Sequence, residues 1–191
     1  VAGDINISST TTGYKIGDST VLYASSTNLS TLVGRSAGSA LLSDGFSKTV
    51  VGDQALAFAT SSNNNTAVGY RSLWQNTTGF NNVGIGASTL QNNTSGNSNV
   101  GVGYAVLNNN TTGEANLGFG RSAMAANTTG SHNVGLGNFA LLSSVTGSNN
   151  VGIGSYALRY NAAATNTVAI GYEAGNGSAG SASGYNSFVG Y

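Results

Sequence analysis

The 191-residue sequence has no cysteine, no proline and a single histidine, and only twelve of its residues are charged, six basic and six acidic. Without cysteine there can be no disulfide and no thiolate metal site. One histidine is too few to complete a zinc set. The formal net charge is zero, so the basic footprint that nucleic acid or an anionic membrane selects is missing, and neither is expected as a partner. No apolar run approaches the ~18 residues of a spanning helix, so no membrane insertion is expected of this segment. The chain opens at Val1 rather than Met, which reads as a fragment or a processed piece.

What fills the sequence instead is 29 Gly, 26 Ser, 25 Asn and 20 Thr, more than half of the chain. Such a bias means either disorder or a regular stack, and an internal period decides between them. Asn-Val-Gly-Ile-Gly at 82–86 returns at 99–103, 116–120, 133–137 and 150–154 with only the apolar residues exchanged. Eight closing glycines, from Gly52 through Gly69, Gly86, Gly103, Gly120, Gly137 and Gly154 to Gly171, keep a step of 17 without a slip. Gly34 and Gly190 end looser copies.

Large apolar residues precede these marker glycines: Val68, Ile85, Val102, Phe119, Leu136, Ile153 and Ile170. Two positions earlier stand Thr66, Val83, Val100, Leu117, Val134, Val151 and Val168, with Gly or Ala between. This is strand alternation, and it places the Val68-to-Ile170 column in the core. On that assignment Ile85→Asp should collapse the stack. Leu56, Leu73, Leu90, Leu107, Met124, Leu141 and Leu158 supply a second apolar wall four residues past the marker. Turns of the Asn-Thr-Thr-Gly type follow, in which Gly supplies positive φ and Asn or Thr bonds the local backbone.

Seventeen residues are too few for a strand and a crossover helix but enough for two short strands and two turns. The expected fold is therefore all-β: a parallel β-roll or β-solenoid of about nine 17-residue coils over residues 31–191. Residues 1–30 read as a short N-terminal β cap, with alternation at 3–7 and 14–17. Stacking puts Asn65, Asn82, Asn99, Asn116, Asn133 and Asn150 in one column and Asn76, Asn93, Asn110, Asn127 and Asn161 in another, so two Asn ladders are expected. Gly84, Gly101, Gly118, Gly135 and Gly152 would let another backbone approach, which suggests lateral association in a threefold bundle. A Gly, Ser and Ala loop over 175–184 precedes a last half-coil at Phe188–Tyr191, beyond which a fibre would continue.

Asn-Thr-Ala-Val-Gly at 65–69, Thr-Val-Ala-Ile-Gly-Tyr-Glu-Ala-Gly at 167–175 and the Asn-Thr-Thr-Gly turns carry a resemblance. The chain resembles the head repeats of trimeric autotransporter adhesins and the repeat shafts of bacteriophage tail fibres. That resemblance implies a homotrimeric parallel β-roll at a cell surface, outside the cell or on a virion. The 17-residue period is longer than the adhesin head repeat, and no heptad pattern marks a coiled-coil stalk.

Chemistry is sparse. A glycoside hydrolase needs two carboxyl groups roughly 5–9.5 Å apart, but Asp44, Asp53, Glu114 and Glu173 take different repeat positions. His132 lies in a turn, and neither a nucleophile elbow nor an acidic partner accompanies it. The Gly-x-Gly pairs recur in every coil with no following helix, so they are not phosphate loops. No enzyme activity, cofactor or metal is expected. The position just past the marker is variable and therefore reads as exposed. Tyr70, Tyr104, Arg121 and Tyr172, with Arg71, Trp74 and Tyr156 beside them, form a candidate surface stripe for a cell-surface glycan or a protein receptor. The leading expectation is a structural fibre or adhesin segment, a rigid shaft or head. The alternatives are a self-assembling filament subunit and, less favoured because its paired threonines sit in turns, an ice-binding β-solenoid.

Overall fold

The computed structural model describes residues 14–16, 19–25, 30–40, 47–177 and 185–190; the alternating stretch at 3–7, Asp44 and most of the 175–184 loop lie outside them. The described residues form a parallel β-solenoid of about nine coils, with no helix among them. Three antiparallel-paired strands come first: β1 (Tyr14–Ile16), β2 (Ser19–Ser25) and β3 (Ser30–Val33). From β3 onward every pairing is parallel, through β4 (Thr49–Val51), β5 (Thr66–Val68), β6 (Val83–Ile85), β7 (Val100–Val102), β8 (Leu117–Phe119), β9 (Val134–Leu136), β10 (Val151–Ile153), β11 (Val168–Ile170) and β12 (Ser187–Val189). The register follows the repeat: Val83 faces Val100, Gly84 faces Gly101 and Ile85 faces Val102.

A coil this short has a narrow interior, and the side chains that enter it are few. On each strand from β4 to β11 the middle residue points inward: Val50, Ala67, Gly84, Gly101, Gly118, Gly135, Gly152 and Ala169 are all buried. Opposite them, the Leu56-to-Leu158 column is fully buried, each member contributing about 1.5–3 kcal/mol of apolar burial. The residue before it is buried as well, and its bulk complements the strand: Val106 lies against Gly101 and Gly118. Little more fits. A Cβ on Gly84 would stand 2.5 Å from Ser72 Oγ.

The sequence reading of the core is corrected here. Val68, Ile85, Val102, Phe119, Leu136, Ile153 and Ile170 point away from the coil interior; Phe119 is 55% exposed and Ile85 40%. Strand alternation was right, but the inner face is the small-residue face, because the Leu column already occupies the space across from it. The glycines Gly84, Gly101, Gly118, Gly135 and Gly152 are therefore closed off inside the coil and offer no path to another backbone.

The wall after each marker glycine is made of left-handed backbone, and not of the second short strand expected in each repeat. Leu73, Leu90, Leu107 and Leu158 have φ of 51°, 52°, 49° and 51°, and the residues two before them are also positive. For an L-residue that conformation costs about 1–2 kcal/mol, offset by burial and by bonds between coils such as Leu90 N–H to Val106 O at 2.9 Å. The marker itself must be glycine: at Gly103, φ is +133° and a Cβ would lie 2.7 Å from Gly120 O in the next coil.

Candidate functional site

Two Asn columns close the interior at its polar end, and both are hydrogen-bonded along the stack. In the first, the backbone N–H of Asn82, Asn99, Asn116, Asn133, Asn150 and Thr167 each donates to the Oδ1 of the Asn one coil earlier, from Asn65 to Asn150, at 2.9–3.1 Å. In the second, the Nδ2 of Asn93, Asn110 and Asn127 donates to the preceding Oδ1 at 2.6–2.7 Å. The carbonyls of Gly79, Gly96, Gly113 and Gly130 each accept from both columns; Gly113 O receives Asn99 Nδ2 and Asn110 Nδ2. Every amide is buried, so these bonds meet demands that water cannot. A third ladder lies outside them, where the Thr77, Thr94, Thr111 and Thr128 hydroxyls donate to the carbonyl of the next coil.

The ladders break at identifiable places. Ser144 replaces Asn in the second column, and Asn127 Oδ1, Ser144 Oγ and Asn161 Oδ1 are all buried without a partner. Lys48 stands one coil before Asn65 in the first column. It is 2% exposed, its Nζ has no hydrogen-bond partner, and burial pushes its ammonium below the usual lysine range.

The candidate surface stripe does not form one continuous site. Its residues fall into two clusters on the left-handed wall and one isolated side chain. Near the first coils, the Arg71 guanidinium lies 5.1 Å from the Tyr70 ring and 4.9 Å from Trp74, and Phe58 meets Trp74 edge-on at 5.1 Å. Arg71 Nε also donates to Gln54 Oε1 at 2.8 Å, so this cation is already engaged. Beside it Arg35 and Asp53 form an ion pair at 2.8 Å; the bidentate hydrogen bond holds the Asp53 carboxyl below its ordinary range. Tyr104 is exposed and makes no ring or guanidinium contact among the described residues.

The second cluster joins Arg121, Tyr156 and Tyr172 to three other residues. Phe139 stacks on Tyr156 at 5.3 Å with the planes 14° apart, and Tyr172 meets Tyr156 edge-on at 5.9 Å. Arg121 lies 5.6 Å from the Phe139 ring, while Arg159 approaches Tyr160 at 4.7 Å, Tyr156 at 5.0 Å and Phe139 at 6.0 Å. Sequence reasoning missed Phe58, Phe139 and Arg159. A signal existed: the second, fifth and sixth positions past the marker flank the inward pair, so large residues there must share the outer wall.

Among the described residues, two of the acidic side chains have the following partners: Asp53 is tied to Arg35, while Glu114 accepts from Asn97 Nδ2 at 2.9 Å in a turn of another coil. No group of three metal-ligating side chains occurs among the described residues. His132 is an exposed turn residue with φ of 59°.

These features define the molecule as a β-solenoid repeat protein, ordered by one buried leucine and two asparagines per coil. Comparison with protein-family models, curated proteins and solved structures finds no match. The likeness to adhesin heads and tail-fibre shafts therefore rests on the repeat alone.

Proposed function

We propose that this segment is a non-enzymatic structural fibre or adhesin element, a rigid shaft or head working outside the cell, at a cell surface or on a virion, and that it assembles as a homotrimer. The observation that carries the reading is the outer face of the parallel sheet. From β6 to β11 its two columns are Val83, Val100, Leu117, Val134, Val151 and Val168, and Ile85, Val102, Phe119, Leu136, Ile153 and Ile170, without one polar residue. A monomer rarely leaves so long an apolar ribbon in water.

Area favours three copies over two. The six strands β6 to β11 at ~4.8 Å make a ribbon about 24 Å long and, at three residues per strand, about 10 Å wide. Its flat area of about 240 Å² is well below the roughly 800 Å² that each partner of a stable interface covers. In a threefold bundle the ribbons line one axis and every chain meets two neighbours, so the flanks are covered too. Stacked ladders make each chain stiff, which suits a spacer. Ice binding is less well supported, because the Thr77-to-Thr128 hydroxyls are spent on carbonyls of the next coil.

Light scattering on the intact chain tests the proposal. The expected mass is three times the 19.0 kDa of one chain, with Phe119→Ser and Ile85→Ser lowering it while the circular dichroism spectrum persists. A monomer at tens of micromolar would refute the trimer. A broad, length-distributed mass would replace it with the filament subunit.

A further inference from the structure

The wall after the marker glycines is separate from the apolar sheet face, and its second cluster holds the only pair of guanidinium groups, among the described residues, that share one aromatic floor. Arg121 and Arg159 both lie against Phe139 and so stand within about 12 Å of each other. Neither is in an ion pair; the one salt bridge among the described residues is Arg35 with Asp53. Arg159 Nε is shielded from water and has no hydrogen-bond partner. Tyr160 and Tyr172, at 40% and 47% exposure, flank these cations. The first cluster differs at each point, since its arginine is held by Gln54 and sits beside Asp53.

From this juxtaposition we infer that Arg121, Arg159, Tyr160 and Tyr172 form a binding site for an acidic oligosaccharide, a glycan whose saturated rings carry carboxylates. The chemistry calls for both halves of such a ligand. Guanidinium groups bind carboxylates bidentately, and tyrosine rings offer amphipathic contact area to the C–H faces of sugars at little entropic cost. Aromatic stacking between Phe139 and Tyr156 fixes the floor, so the cations are positioned before a ligand arrives. Glu173 takes the next coil's copy of the Phe139 and Tyr156 position and bounds the site with opposing charge. The inference rests on the reading of this segment as one that presents a surface, and it names the ligand class.

The test titrates the intact chain with hyaluronan tetrasaccharide and with 3′-sialyllactose, using neutral chitotetraose and hexaglutamate as comparisons, by heteronuclear NMR and calorimetry at low salt. At least one acidic sugar is expected to bind at least tenfold more tightly than chitotetraose and hexaglutamate. Arg121→Gln, Arg159→Gln and Tyr172→Ala should each weaken it at least tenfold with the circular dichroism spectrum unchanged, and Glu173→Gln should strengthen it. Hexaglutamate binding as tightly would replace the sugar with an acidic peptide. No binding of either acidic sugar at millimolar concentration, or equal affinity in the arginine variants, would overturn the site. Light scattering on the same samples keeps this outcome distinct from failure of the trimer, because the site's residues all come from one chain.

Discussion

Ser144→Asn should stabilise the protein, and the reason lies in the second Asn column. Between Asn127 and Asn161 that column is interrupted by a serine too short to reach either neighbour, leaving Asn127 Oδ1 and Ser144 Oγ buried and unpaired. The backbone there already matches its copies: Ser144 N–H donates to Leu141 O at 3.1 Å, as Asn127 N–H does to Met124 O at 3.0 Å. An asparagine placed like Asn110 would donate Nδ2 to Asn127 Oδ1 and to Gly147 O, and would accept from Asn161. Three bonds at about 0.5–1.5 kcal/mol each, less about 1 kcal/mol for ordering the side chain, give a net gain of about 2 kcal/mol. The measurement is equilibrium urea unfolding followed by circular dichroism, with Ser144→Ala as the control that removes the hydroxyl without rebuilding the ladder. The alanine variant should stay within about 0.5 kcal/mol of the parent. If Ser144→Asn were no more stable than Ser144→Ala, while its spectrum stayed native, the claim that buried Asn ladders stabilise this solenoid would be wrong.

Three further outcomes are expected. Leu90→Ala should cost about 2–5 kcal/mol because it empties a fully buried site, whereas Ile85→Ala should barely change unfolding of the isolated chain and should instead lower the mass seen by light scattering. Ala115 is exposed with φ of 53°, so Ala115→Gly should raise stability by up to about 1 kcal/mol, a gain readable as a shift in the urea midpoint. Two groups give stability a pH dependence. Asp53 is held below its ordinary range when folded, so its contribution is present above the normal aspartate pKa and fades as pH falls through the folded value; Arg35→Gln should flatten that acid limb. Lys48 is held below its ordinary range by burial, so its charge disfavours the folded state at neutral pH and that penalty lifts as pH rises toward the unfolded lysine value. Lys48→Asn should remove the alkaline dependence and extend the first ladder toward β3, raising the neutral-pH midpoint.

The surface clusters illustrate how far the sequence could be read. Tyr70, Arg71 and Trp74 are neighbours in sequence, and Tyr172 lies three steps of 17 from Arg121, with Tyr156 in the adjoining column. Phe139 and Arg159 were overlooked because the outer positions of the left-handed wall follow neither a strand's period of two nor a helix's 3.6. Tyr104 has the sequence position of Tyr70 and Tyr172 but no aromatic neighbour, since Arg121 and Ala87 occupy its column on either side.

By itself the sequence determined the period, the strands, the marker glycines and the two asparagine columns, because each depends on residues that repeat along one dimension. It could not determine which side of the strand faces inward. Alternation of Val, Gly and Ile says that two faces differ, but it is symmetric as to which of them is the core. Only closure of the coil settled that: with a leucine or methionine already inside each coil, the inward column from β4 to β11 holds no side chain larger than valine. The bulky column is turned outward, where a second chain can cover it.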